Sequence, residues 1–236
     1  MKITLLTGQT FNLENEFDFP LKVNSTWKNK RLTLRIDTKK REVILSMPKF
    51  CSAKKAKEFI SLHLDWIEKN LQKLPAVKDF EDGETILVCG KEIRLCHEPN
   101  SLSAAFEKDG ILHVGGNKLF FHRRVKDYIY RKAKIDFTRR SKTFSEKLGY
   151  QFKSITIKDT KSRWGSCSSL SNINYNWRIA LAPEYVIDYL MAHEVSHLKH
   201  PNHSSEFWQC VKALHPQSTN GRNWLKKNGA NLYLYR

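Results

Sequence analysis

The chain has 236 residues, 40% of them hydrophobic and 11% aromatic, which is enough to bury a sizeable core and too apolar for disorder. Its formal charge is +17 at pH 7, and no apolar run approaches the roughly 20 residues of a membrane helix. The opening stretch from Met1 to Gly8 is too short in apolar residues for a secretory signal, so a cytoplasmic protein with no membrane partner is expected.

In chain order, Arg31 to Asp37 alternates apolar and polar residues, and Glu42 to Met47 does so more loosely. With Asp37 to Lys40 between them, they predict a β-hairpin. Ala56, Phe59, Ile60, Trp66, Ile67, Leu71 and Leu74 recur at helical spacing, which predicts one amphipathic helix over 53–74. After a polar connector at 79–83, short strands are predicted at 84–89, 92–97, 103–107 and 111–114, and Gly115-Gly116 breaks the series. A boundary is expected there. It gives a β-rich region 1–116 and a second region 117–236, with one continuous domain as the other reading.

A long helix is predicted over 117–148, with Val125, Ile129, Ala133, Phe137, Phe144 and Leu148 as its buried stripe and Gly149 as its stop. Residues 117–150 hold 11 basic and 3 acidic residues, or +8, against +3 for 1–116 and +6 for 151–236. Such a field favours anionic partners, nucleic acid among them, although a solvated helix face explains it as well. Strands at 152–158 and 173–181 flank a loop, and Pro183 fits the first turn of a helix from 183 to about 199. The fold class is therefore α+β, a β-rich N-terminal part followed by a core built around that last helix.

Five cysteines, at 51, 89, 96, 167 and 210, include no C-x-x-C pair, which argues against a disulfide framework and a cysteine-based zinc ribbon. The histidines are more informative. Four of the nine lie in His193-Glu194-Val195-Ser196-His197-Leu198-Lys199-His200-Pro201-Asn202-His203. Helix positions four apart differ by about 40° in direction, so His193 and His197 project side by side. They can take adjacent corners of a tetrahedral zinc at about 2.0–2.1 Å. Glu194 flanks them, the H-E-x-x-H arrangement of zinc hydrolases. Histidines that merely suit the dipole at a helix end are the alternative, but the pattern arises by chance in such a chain with a probability of only roughly 0.02.

A catalytic zinc needs a third protein ligand and an open position. His200, His203, His215 and Glu206, the one carboxylate after Glu194, are available. Pro201 would end the helix, and the turn it imposes would swing His203 back, which favours His203 over Glu206 and His200. The spacing from His197 to His203 is that of metzincins, but those need a methionine turn downstream, and Met191 is the last methionine.

Several spaced motifs accompany the histidines. They are Lys161-Ser162-Arg163-Trp164-Gly165-Ser166-Cys167-Ser168-Ser169, then Asn174-Tyr175-Asn176-Trp177-Arg178, Leu181-Ala182-Pro183, Asn202-His203-Ser204 and Phe207-Trp208. Together they resemble the YgjP-like metallopeptidase family, related to the SprT-like and WLM zincins. The resemblance is specific over about 155–215 and looser before it, through Lys30 to Arg35 and Trp66-Ile67. It implies a zincin-like catalytic core with one catalytic Zn2+ on His193, His197 and His203. It also implies a substrate cleft beside Arg163, Trp164, Gly165, Ser166 and Cys167, with Arg178 nearby. A core anchor at Trp164 and a tight turn at Gly165 are the other reading, and Cys167 is a weak option for a fourth ligand.

Glu194 is then the expected general base, passing a proton from water to the leaving group. Candidates for the oxyanion stabiliser are Arg178, Tyr175, Tyr189 and His200. Peptide hydrolysis is the leading function. The alternatives are phosphoanhydride hydrolysis of a nucleoside triphosphate and a non-catalytic module that binds nucleic acid or protein, against which the intact Glu194 weighs. Nickel, cobalt or manganese would also suit such a donor set.

Overall fold

The computed structural model describes residues 3–4, 10–11, 13, 16–37, 41–74, 77–160 and 163–235. The chain forms two compact units, Met1–Ala76 and Val77–Arg236. In the first, β1 (Ile3–Thr4) pairs antiparallel with β2 (Thr10–Phe11). The strands β3 (Leu21–Thr26), β4 (Thr33–Asp37) and β5 (Glu42–Pro48) make a sheet in the order β3-β5-β4. The hairpin is β4 against β5, with Thr33 opposite Ser46 and Asp37 opposite Glu42. Its turn at 38–40 lies outside the described residues. The strand β3, absent from the sequence reading, pairs parallel with β5, which leaves β5 central and buries Val43, Ile44, Leu45 and Met47.

The helix expected over 53–74 is two helices, α1 (Ala53–Ser61) and α2 (Leu64–Gln72). Ser52 caps the first by accepting the Lys55 N–H at 3.3 Å. At the junction the His63 ring bonds the Phe59 carbonyl, four residues back, at 2.8 Å, satisfying an acceptor that the interrupted helix leaves free. Buried Ile60 and Ile67 are seven residues apart, close to two turns, so the apolar stripe keeps its phase across the break.

In the second unit β6 (Thr85–Val88), β7 (Lys91–Glu98), β8 (Phe106–Lys108) and β9 (Ile111–Gly115) form a sheet ordered β6-β7-β9-β8. Ile86, Val88, Ile93, Leu95, Leu112 and Val114 share a core with Val125, Ile129, Ala133 and Phe137 of α3 (Phe121–Leu148). This corrects the boundary expected at Gly116: the chain divides after Ala76 because the sheet buries its apolar face in the same core as α3. A 3-10 turn, Lys118–Phe120, leads into α3, and Gly149 ends it in the left-handed region at φ 74. Much of the helix's basic excess is engaged within the fold. Lys132 pairs with Glu107 at 2.5 Å and Arg139 with Asp136 at 2.6 Å, while Lys134 and Arg124 donate to the carbonyls of Ile155 and Gly115.

A second sheet follows in the order β10-β12-β11, from β10 (Ser154–Lys158), β11 (Gly165–Cys167) and β12 (Asn172–Asn176). The strand expected over 173–181 stops at Asn176, whose side chain accepts the Arg178 N–H at 3.0 Å and starts a 3-10 turn, Trp177–Leu181. Then come α4 (Glu184–Ser196), α5 (Ser205–Leu214) and α6 (Ser218–Asn228). Pro183 stands at the cap of α4, one place ahead of its first turn. Arg140, only 8% exposed, ties α3 to α4 by bonding Asp136 at 2.5 Å, Asp188 at 2.6 Å and Glu184 at 2.9 Å. The architecture is α+β, with strands dominating the N-terminal half and helices the core that carries H-E-x-x-H. No helix among the described residues is long and apolar enough to cross a membrane.

Candidate metal centre

The last turn of α4 presents His193, and His197 is the residue on which the helix closes. The chain continues as a turn, with the His200 N–H bonded to the Ser196 carbonyl at 2.9 Å. It bends at Pro201-Asn202 and returns His203 toward α4. One donor nitrogen from each of His193, His197 and His203 lies within 4.8 Å of the other two. The Nε2 atoms of His193 and His203 are 3.2 Å apart. A tetrahedral ion at about 2.0–2.1 Å sets its ligand nitrogens about 3.3–3.4 Å apart, so this pair already has the spacing of two ligands. His197 Nδ1 meets the His200 carbonyl at 3.0 Å, which leaves Nε2 free, the orientation that outer partners usually impose on a metal-binding imidazole. His200 thus contributes through its backbone. Glu206 is fully exposed in the first turn of α5, its carboxyl held below the usual range by the Ser204 hydroxyl.

The rings are packed as a group. Phe207, fully buried, stacks on His197 at 4.5 Å and meets His193 and His203 edge-on at 4.9 and 4.8 Å. Trp208 stacks on His203 at 5.6 Å. Burial, and then the neighbouring His197, push His193 down to about 3, and burial also lowers His197. His193 and His197 are therefore neutral and able to ligate at physiological pH.

Glu194 is 4% exposed, and burial lifts its carboxyl to about 8, against a smaller opposing pull from Arg163. Its neighbour is the backbone of β11. A Cβ built at Gly165 would sit 2.7 Å from both Cγ and Cδ of Glu194, so only glycine allows the strand this close. Trp164 and Gly165 line a cleft with Tyr189, His193, Glu194 and Arg222. Trp164 also packs against Tyr233 at 5.2 Å. Arg163 is exposed, and Ser166 accepts a bond from Asn174 at 3.3 Å. Lys161 and Ser162 lie outside the described residues.

Other expected site residues fall elsewhere. Arg178 is 1% exposed, paired with Asp159 at 2.5 Å and donating to the Tyr235 carbonyl at 3.1 Å. It braces the segment ahead of β11 from within and does not reach the cleft. Tyr175 is fully buried with its hydroxyl on Ser141 at 2.9 Å, which removes it as an oxyanion donor. Cys167 is not one of the clustered donors; burial and then the Glu194 charge push its thiol up to about 11. A second donor group, Cys96, Glu98 and His113, lies on the four-stranded sheet. There Glu98 and His113 already bond each other at 2.5 Å.

Three clustered imidazoles that could hold a metal ion stand beside one buried carboxylate. The model of the YgjP-like metallopeptidase domain matches residues 30–228, and the chain belongs to that family. No curated protein matches the chain. One solved structure, the crystal structure of the metallopeptidase zymogen of Pyrococcus abyssi abylysin, is similar at 23% identity over 39% of this chain and 93% of that one, with a TM-score of 0.36. That likeness is too slight to carry an argument.

Proposed function

We propose that the chain hydrolyses peptide bonds, with Glu194 as general base and a zinc ion held by His193, His197 and His203. The observation that carries this reading is the contact between Glu194 and the edge strand β11. In the order β10-β12-β11 that strand pairs on one side only among the described residues. Its other edge offers backbone N–H and C=O groups to which an extended peptide can add as a further strand. A nucleoside triphosphate has no use for such an edge, which favours the peptide reading over phosphoanhydride hydrolysis.

A divalent ion on the three imidazoles supplies Lewis-acid polarisation of water and of the scissile carbonyl. The remaining work falls to the protein. Glu194, buried beside the imidazoles, is placed to take a proton from the attacking water and pass it to the departing amine nitrogen. Trp164 narrows the cleft beside it, and Phe207 keeps the imidazoles from rotating. Tyr189 lines the cleft and is the oxyanion candidate on this reading.

The test offers an unfolded protein and a nucleoside triphosphate side by side to zinc-loaded wild type and to Glu194→Gln. Wild type should cut the protein, and the variant should keep its zinc and lose turnover. Pyrophosphate release without proteolysis, or full proteolysis by the variant, would overturn the reading.

A further inference from the structure

The cleft beside Glu194 shares Tyr189 with a second groove, and the charge of the pair is left unexplained by the mechanism. Arg222 and Lys226 line both, and Lys212 joins them in the second. All three are exposed. Glu194 is the one carboxylate in either lining, and from residue 207 to the end of the chain there is no acidic residue at all. Arg222 and Lys226, four apart on α6, stand on one face as a like-charged pair, an arrangement that weakens a helix.

Arg222 is also held in place. A Cβ at Gly221 would come within 2.8 Å of Tyr189 Cγ and 3.2 Å of the Tyr185 carbonyl, so this glycine lets α6 press onto α4 and brings the next residue to the cleft. The Arg222 guanidinium lies 4.3 Å from the Trp208 ring centre, and Trp208 in turn stacks on His203. A guanidinium seated on an aromatic ring keeps its N–H edge free for a planar, two-oxygen partner.

We propose that Arg222 and Lys226, supported by Lys212, form a subsite contiguous with the metal centre that binds a carboxylate of the peptide substrate. The enzyme then selects acidic peptides. The carboxylate comes from a Glu or Asp side chain near the scissile bond or from the C-terminus of the peptide, and the chemistry of recognition is the same. The inference rests on the peptidase reading above.

The test measures binding apart from turnover. Fluorescein-labelled alanine-rich hexapeptides are titrated into zinc-loaded Glu194→Gln protein and followed by anisotropy. One pair differs as glutamate against glutamine with both C-termini amidated; a second pair differs as free against amidated C-terminus. At least one acidic member should bind tenfold or more tighter than its neutral partner, and the pair that shows it identifies the source. Adding Arg222→Ala and Lys226→Ala should abolish that preference, with zinc retained and with affinity for acidic peptides falling at least tenfold more than affinity for neutral ones. Equal binding within both pairs, no binding by any peptide, or equal losses for acidic and neutral peptides would overturn the subsite. Selective binding without proteolysis by wild type would refute the peptidase reading and leave the subsite standing.

Discussion

Replacing Gly165 with alanine puts a methyl carbon 2.7 Å from Cγ and Cδ of Glu194. Non-bonded carbons rest at about 3.5–4.0 Å, so relief requires a movement of about 1 Å. The carboxylate end of a side chain is softer than a strand paired along β12, and Glu194 should be the group that yields. Overpacking of this kind costs roughly 1–3 kcal/mol, or a few degrees in melting temperature at about 2–4 °C per kcal/mol for a protein of this size. A base displaced by that distance loses roughly a hundredfold in rate. The expected result is a folded Gly165→Ala protein with wild-type zinc content and about one per cent of wild-type proteolysis, measured on an unfolded substrate with zinc assayed in the same sample. Full turnover at an unchanged melting temperature would refute the placement of Glu194 against β11.

Phe207→Ala removes the wall shared by the three imidazoles; a loss of about 3–5 kcal/mol in urea denaturation and at least roughly tenfold weaker zinc retention against a chelator are expected. Arg140→Met leaves Asp136 and Asp188 without their shared cation, and unfolding titrations should show a loss of roughly 3 kcal/mol with little change in zinc content. For the metal-free protein in EDTA, Glu194 is raised from 4.5 to about 8, so the native state binds the extra proton and stability falls as pH rises between those values. His193 is lowered from 6.5 to about 3, so stability falls as pH drops through that window. The two slopes oppose each other from 4.5 to 6.5, with His197, also lowered, adding to the His193 side, so the curve should be shallower there than its alkaline decline above 6.5. Glu194→Gln should abolish the alkaline decline, and an unchanged decline in that variant would refute its assignment to Glu194.

The histidine cluster was legible because its spacing is local: four residues on a helix, then a proline that turns the chain back to His203. The residues that hold the cluster in shape were not. Phe207 and Trp208 stood in the sequence as motif members without a role, since their contacts depend on how α5 lies against α4. Arg222 gave no signal at all, because only the Gly221 approach to Tyr189 brings it near. Gly165 read as a tight turn or a cleft residue; it does line the cleft, but the steric demand from a carboxylate 29 positions further on left no mark in the sequence. Arg178 misled in the other direction: a cation in a motif suggested the cleft, while Asp159 and the Tyr235 carbonyl hold it inside. The break between α1 and α2 was silent because seven residues preserve helical phase. The Gly115-Gly116 break looked like a boundary, since nothing in the strand pattern says which helix will cover the sheet.

Zinc K-edge absorption of the zinc-loaded protein tests the central claim most directly. Three imidazole nitrogens at about 2.0–2.1 Å, lost on His203→Ala, are the expected result. A sulfur ligand at about 2.3 Å, which would move the ion to Cys96 or Cys167, would contradict it.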